Sequence, residues 1–171
     1  GEKIKLQYFS TLNGLLRGEL KNKEYITLLF DEIEKAETGK TSIEKIGEQS
    51  VVLRQFASAM QHDLITAIDQ IAARAPFRQM ITPGGYRMSA AMTNCGPLGW
   101  VTDRQGYRYQ AFDPLTGKPW PAMPVIFKTL AIQAASLAGF NDFQPDACLI
   151  NEYAIGAKMS LHQDKNEKDL S

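Results

Sequence analysis

The hydrophobic period of this chain changes at Pro76, and the change requires helices and strands in one fold. Before it, Phe56, Met60, Leu64, Ile68 and Ile71 recur at helical spacing, the apolar stripe of an amphipathic helix that a proline brings to an end. A strand over 51–56 precedes that helix. Helical spacing returns only after Pro124, with Ile126, Leu130, Ala134 and Leu137 ahead of Gly139, a residue suited to closing a helix. Between the two helices the chain reads as strands and turns. Thr82-Pro-Gly-Gly-Tyr86 is a turn signal flanked by Met80-Ile81 and Tyr86-Arg-Met-Ser, which predicts a hairpin. Large and polar groups alternate from Gly99 to Tyr109, residues 113–124 form a proline-rich loop, and strands are predicted over 147–153 and 159–164.

Residues 1–46 have a different character, rich in Lys and Glu. Tyr8, Leu12, Leu15 and Leu16, then Leu28, Leu29 and Ile33, predict two short amphipathic helices. Thr38-Gly39-Lys40-Thr41 imitates the end of a phosphate-binding loop, but the first glycine of that motif would fall on Glu34, so the P-loop is rejected. Gly39 is read instead as a helix end.

With 171 residues, 44% of them hydrophobic, the chain can form one medium domain with a small extension. Formal net charge is zero, so no global field draws nucleic acid or an anionic membrane, and any nucleic-acid contact must use a local patch. No run approaches the roughly 18 apolar residues of a membrane span, and no apolar signal core opens the chain. Cys95 and Cys148 are far apart and lack CxxC spacing, against a zinc ribbon or a disulfide framework. A soluble, cytoplasmic protein is expected.

Near its end the chain places His162 and Asp164 two positions apart. On a strand that spacing turns an imidazole and a carboxylate to the same face, where both can grip one metal ion. Asn151 and Tyr153 repeat the spacing with side chains that can donate to a carboxylate oxygen. His62, the other histidine, falls roughly opposite its helix's apolar stripe and reads as solvated. A two-His-one-carboxylate iron site needs a second histidine, and none follows Asp164 in this sequence.

The order of motifs resembles one family. Ala75-Pro-Phe-Arg-Gln-Met80, Thr82-Pro-Gly-Gly-Tyr86, Met92-Thr-Asn-Cys-Gly96, Gly99-Trp100, Arg104-Gln-Gly-Tyr107, Lys118-Pro-Trp-Pro-Ala-Met-Pro124, and Phe143 to Asn151 followed by Leu161-His-Gln-Asp-Lys165 are similar to the AlkB family. Those proteins are iron(II)- and 2-oxoglutarate-dependent nucleic-acid demethylases. The likeness covers residues 47–171, about the first two-thirds of such a protein, and leaves 1–46 as an extension without a counterpart. It implies an α+β domain built on a double-stranded β-helix, or jelly roll, with N-terminal helices and a substrate-recognition lid, incomplete in this chain. The implied reaction is DNA repair by oxidation: 2-oxoglutarate is decarboxylated to succinate while an N-methyl group of the 1-methyladenine or 3-methylcytosine type is hydroxylated and lost as formaldehyde.

By the resemblance, His162 and Asp164 are metal ligands for Fe(II), and Asn151 and Tyr153 hold 2-oxoglutarate. Trp100 and Tyr107, with Tyr109 close by, correspond to the base pocket. A base oxidised at its pairing edge must be single-stranded or flipped out, in DNA or RNA, and held by stacking. Thr82, Tyr86, Arg108, Lys158, Gln163 and Lys165 are candidates for phosphate or lid contacts. Asn166 stands where the family carries an aspartate that meets the exocyclic amine of the damaged base. Losing that negative charge implies weaker preference for cationic methylated bases, offset in part by Glu167. The resemblance also implies a later histidine, some fifty residues on, and an Arg-x-Asn-x-x-x-Arg stretch that holds the distal carboxylate. Without them an isolated jelly-roll half is expected to be poorly folded, swapped or completed by another segment. The competing reading is a catalytically inactive nucleic-acid-binding or interaction module.

Overall fold

The computed structural model describes residues 41–47 and 50–157. The helices expected within 1–40 and the strand expected over 159–164 lie outside the described residues. Strands β1 (Ser42–Gly47) and β2 (Ser50–Arg54) are followed by a single 3-10 turn at Ser58–Met60 and by helix α1 (Gln61–Arg74). Strands β3 (Ala91–Cys95), β4 (Gly99–Asp103) and β5 (Gly106–Gln110) come next, then helix α2 (Val125–Leu137) and strand β6 (Cys148–Glu152). They pair antiparallel as β1 with β2, β3 with β6 and β4 with β5.

The first strand corrects the helical reading of residues 42–46. Ser42–Gly47 pairs with β2, placing Ile43 opposite Leu53 and Lys45 opposite Val51, and Arg54 Nε donates to Glu44 Oε2 at 2.6 Å. Backbone pairing with a neighbour overrides the weak helical preference of a six-residue charged stretch. Both ends of the Arg54–Glu44 bridge are well exposed, so it adds about 0–1 kcal/mol at most.

Helix α1 follows its apolar stripe: Leu64, Ala67 and Ile71 are buried, while His62 is exposed as expected. Asp63 in its first turn and Arg74 in its last complement the helix dipole. It stops at Ala75, whose extended backbone is the conformation favoured before a proline. The Thr82 turn also forms. The Gly85 amide donates to Thr82 O at 2.8 Å, Gly85 takes φ +84°, and Met88 N–H closes on Met80 O at 2.9 Å. A left-handed residue after a tight turn is a recurrent hairpin device, and glycine supplies it without steric cost.

The β3/β6 pair separates two apolar clusters. Cys95, Cys148 and Ile150 pack with Leu64, Ala67 and Ile71 of α1 and Phe127 of α2. Met92 and Leu149, on the opposite face of the same two strands, pack with Ala75, Met80, Val101 and Trp120. This alternation is the period of two of a sheet covered on both sides. Trp120 anchors the proline-rich loop in the second cluster: its Nε1 donates to Gln110 O at 3.0 Å, and the Arg78 guanidinium lies 5.6 Å from the ring centroid. Gly99 lies against the indole so closely that a methyl group there would overlap Nε1 and Cε2 of Trp120.

Candidate active site

The β4/β5 hairpin builds an aromatic platform. Register sets Trp100 opposite Tyr109 and Thr102 opposite Tyr107, so all four share a face. Trp100 and Tyr107 are diagonal neighbours, and their rings stack with centroids 5.6 Å apart and planes 24° from parallel. Offset stacks of this kind contribute about 0.5–1.5 kcal/mol beyond burial. Tyr107 is 53% exposed and Trp100 half-buried. The stack is therefore partly open to solvent through Tyr107.

Its support is Asn94, a residue that sequence reasoning placed only inside a motif. Asn94 is fully buried; its Nδ2 donates to Trp100 O and its Oδ1 accepts from Trp100 N–H, both at 2.9 Å. One side-chain amide thus mimics a neighbouring strand and fixes the backbone of Trp100 at the start of β4. Nothing in the local sequence signals this, because the partner is reached only after the Gly96 turn.

Arg108 is placed elsewhere. It stands opposite Val101, on the face of the hairpin away from the Trp100–Tyr107 stack. Its guanidinium grips Asp103 through two bonds of 2.9 and 2.7 Å and also donates to Gly106 O. The hydrogen bond with Arg108 holds the Asp103 carboxyl below the ordinary carboxylate range and pushes the Arg108 guanidinium up. Within the described residues, Arg108 is committed to its own hairpin.

Asn151 lies opposite Met92 on β6, on the same face as Asn94 and Leu149, and is exposed. Tyr153 follows just beyond the strand and is half-buried. The β3/β6 pair therefore presents the co-substrate candidate Asn151 on the face that also carries the Trp100 clamp. Thr82 and Tyr86 lie on the hairpin turn, where Thr82 Oγ1 accepts from Tyr86 N–H at 3.2 Å and the Tyr86 side chain projects outward. Lys158, His162, Gln163, Asp164, Lys165 and Asn166 lie outside the described residues. Among the described residues no group of three or more His, Cys, Asp or Glu side chains could hold a metal, and no helix is long and apolar enough to cross a membrane.

A family model described as the 2OG-Fe(II) oxygenase superfamily matches residues 49–171. The chain is 61% identical over 127 residues to the alpha-ketoglutarate-dependent dioxygenase AlkB of Escherichia coli K12, covering 74% of this chain and 59% of that protein. The AlkB of Salmonella typhimurium LT2 is 60% identical over the same share of each chain. The AlkB homolog of Caulobacter vibrioides NA1000 is 44% identical over 109 residues, 64% of this chain and 48% of that protein. This chain thus spans 59% of the length of the first two relatives. The family match begins at residue 49, between β1 and β2, and takes in β2, the aromatic platform and β6. The chain belongs to the 2OG-Fe(II) oxygenase superfamily, a jelly-roll family of mixed helices and strands, and within it to the AlkB family.

Proposed function

We propose that the protein is an oxidative demethylase of N-alkylated bases in single-stranded or flipped-out nucleic acid, DNA or RNA, acting in the cytoplasm. The observation that carries this reading is the partly open Trp100–Tyr107 stack beside the Asn151 face of β6. An aromatic pair whose Trp100 backbone is clamped and whose Tyr107 ring is exposed suits the flat face of an unstacked base. In the lid reading, the turn carrying Thr82 and Tyr86 and the residues Lys158, Gln163 and Lys165 contact the strand's backbone, while Asn166 meets the base edge. Arg108, held by Asp103, is assigned to hairpin support ahead of phosphate contact.

Asn151 and Tyr153 are assigned to the carboxylate of 2-oxoglutarate, to which an amide N–H and a phenol O–H can each donate. His162 and Asp164 are assigned as ligands of Fe(II), a donor set that suits this metal and leaves positions open. Bound together, iron(II) and 2-oxoglutarate supply the oxidising chemistry that hydroxylates an N-methyl carbon with dioxygen. The protein's own part is to unstack the base, hold its methyl group in place and keep the co-substrate oriented.

Binding of a single-stranded oligonucleotide carrying 1-methyladenine, followed by fluorescence anisotropy with the intact protein, tests the platform. Trp100→Ala is expected to weaken affinity about 5- to 100-fold, the worth of one base–aromatic stack. Trp100→Phe is expected to recover most of it. Unchanged affinity in Trp100→Ala would remove the base-stacking assignment.

A further inference from the structure

Cys95 and Cys148, the chain's two cysteines, are unpaired as thiols but stand directly opposite each other across β3 and β6. We infer that they form a redox-active dithiol site that a hydroperoxide converts into a reversible cross-strand disulfide.

The backbone pattern fixes their separation. Met92 exchanges both backbone hydrogen bonds with Arg78, on the side of β3 away from β6. Alternate residues of a strand turn their amides to opposite sides, so Thr93 and Cys95 turn theirs toward β6, and Cys95–Cys148 is a hydrogen-bonded pair. Such pairs have Cα atoms about 5.5 Å apart, inside the roughly 4.4–6.8 Å range of disulfides. In hydrogen-bonded pairs the Cβ atoms lie toward the wide end of about 4.5–5.5 Å, against about 3.5–4.5 Å in a bridge. Closing the bond draws the strands together by about 1–2 Å and strains it. Strained bridges have high reduction potentials and open readily. The site therefore behaves as a reversible pair with the dithiol as its resting form.

The two sulfurs differ in role. Cys95 is fully buried, whereas Cys148 is partly exposed at the start of β6. The hydrogen bond between the two thiols pushes the Cys95 thiol up and lowers that of Cys148 against the opposing effect of burial. Being the accessible one of the two, Cys148 is assigned as the nucleophile and fully buried Cys95 as the resolving thiol. In the first step the Cys148 thiolate attacks the peroxide O–O bond, becomes a sulfenic acid, and releases an alcohol or water once the leaving oxygen takes up a proton. In the second, Cys95 sulfur attacks the sulfenic sulfur, its proton leaves with the hydroxyl as water, and the S–S bond forms. Two thiols are oxidised by two electrons, and one peroxide is reduced. The bridge ties the end of β3 to the beginning of the strand that carries Asn151.

The test is treatment of the intact protein with hydrogen peroxide in the presence of a chelator, followed by denaturation, alkylation of remaining thiols and mass measurement. The expected product is a monomer lighter by two hydrogens that takes up no alkylating group and regains both thiols on reduction with dithiothreitol. In Cys95→Ser the expected product is a sulfenic acid on Cys148, captured by a 1,3-dione. In Cys148→Ser thiol loss is expected to slow about tenfold or more. The wild-type result alone decides the pairing: two alkylatable thiols after treatment, over-oxidation without a bridge, or only a dimer linked between molecules would each overturn it. Faster oxidation of Cys148→Ser than of Cys95→Ser would overturn the assignment of nucleophile.

Discussion

Replacing Asp113 with alanine is expected to lower the unfolding free energy by about 3–5 kcal/mol, the usual result of removing one partner of a buried ion pair. The Asp113 side chain is 5% exposed and that of Arg78 24%, and the two join through bonds of 2.7 and 2.5 Å. Asp113 also accepts from Leu115 N–H at 2.9 Å, and its own amide donates to Lys118 O. Its loss would strand the Arg78 guanidinium against Trp120 and release the start of the proline-rich loop. Asp113→Asn keeps the shape and an acceptor, so its cost is expected to be smaller.

Acid provides a second readout of the same pair. Burial pushes the Asp113 carboxyl up, but the Arg78 hydrogen bonds, the Leu115 amide, the nearby positive charge and the Thr116 hydroxyl more than offset it, leaving the folded value lowered. A carboxyl lowered on folding contributes stability above its unfolded pKa of about 3.9, and loses it as pH falls through the lower folded value. Urea unfolding from pH 7 down into that acid range should show wild type losing this contribution. Asp113→Asn should lack that component of the slope, and parallel curves for the two proteins would contradict the ion-pair account.

The second large effect is expected at Asn94. Alanine there removes both hydrogen bonds to Trp100 and leaves a buried N–H and C=O of the β4 backbone without their partner, a loss of about 2–4 kcal/mol. The same change frees Trp100, so the near-UV circular dichroism of the Trp100–Tyr107 stack should weaken well below the unfolding midpoint. Asn94→Asp retains the acceptor for Trp100 N–H but opposes Trp100 O with negative charge, and should not restore the signal at neutral pH. A change of less than about 0.5 kcal/mol in Asn94→Ala, the level of an ordinary surface substitution, would show that the clamp is not what fixes the platform.

These two sites mark where the sequence stopped being legible. Helix α1 was readable because Leu64 and Ile71 meet the core that their spacing implies; in α2 Ala134 is buried and Ile126 and Leu130 are partly so, but Leu137 is exposed and Phe127, outside the expected stripe, takes a buried place. The Thr82 turn was readable because proline and glycine act locally. Strand β1 was not, since its stability comes from β2 and its exposed Lys and Glu residues suit a solvated helix equally well. Asn94 and Asp113 work through partners across turns or 35 residues away in the chain, and no periodicity encodes them. Arg108 was an intermediate case. Its diagonal relation to Asp103 follows from the hairpin register, but a basic residue between two tyrosines reads first as a phosphate contact. Trp100 and Tyr107 were singled out by the family resemblance alone, and their meeting on one face comes from the β4/β5 register, which alternation along either strand does not encode.

Demethylation by the intact protein is tested by incubating it with Fe(II), 2-oxoglutarate, dioxygen and an oligonucleotide containing 1-methyladenine or 3-methylcytosine. Repaired base, formaldehyde and succinate are expected in equal amounts, with turnover abolished in His162→Ala and Asp164→Ala while oligonucleotide binding persists. Tight binding of the methylated strand with no succinate formed by the intact, iron-loaded protein would contradict it, and would identify a binding module in place of a demethylase.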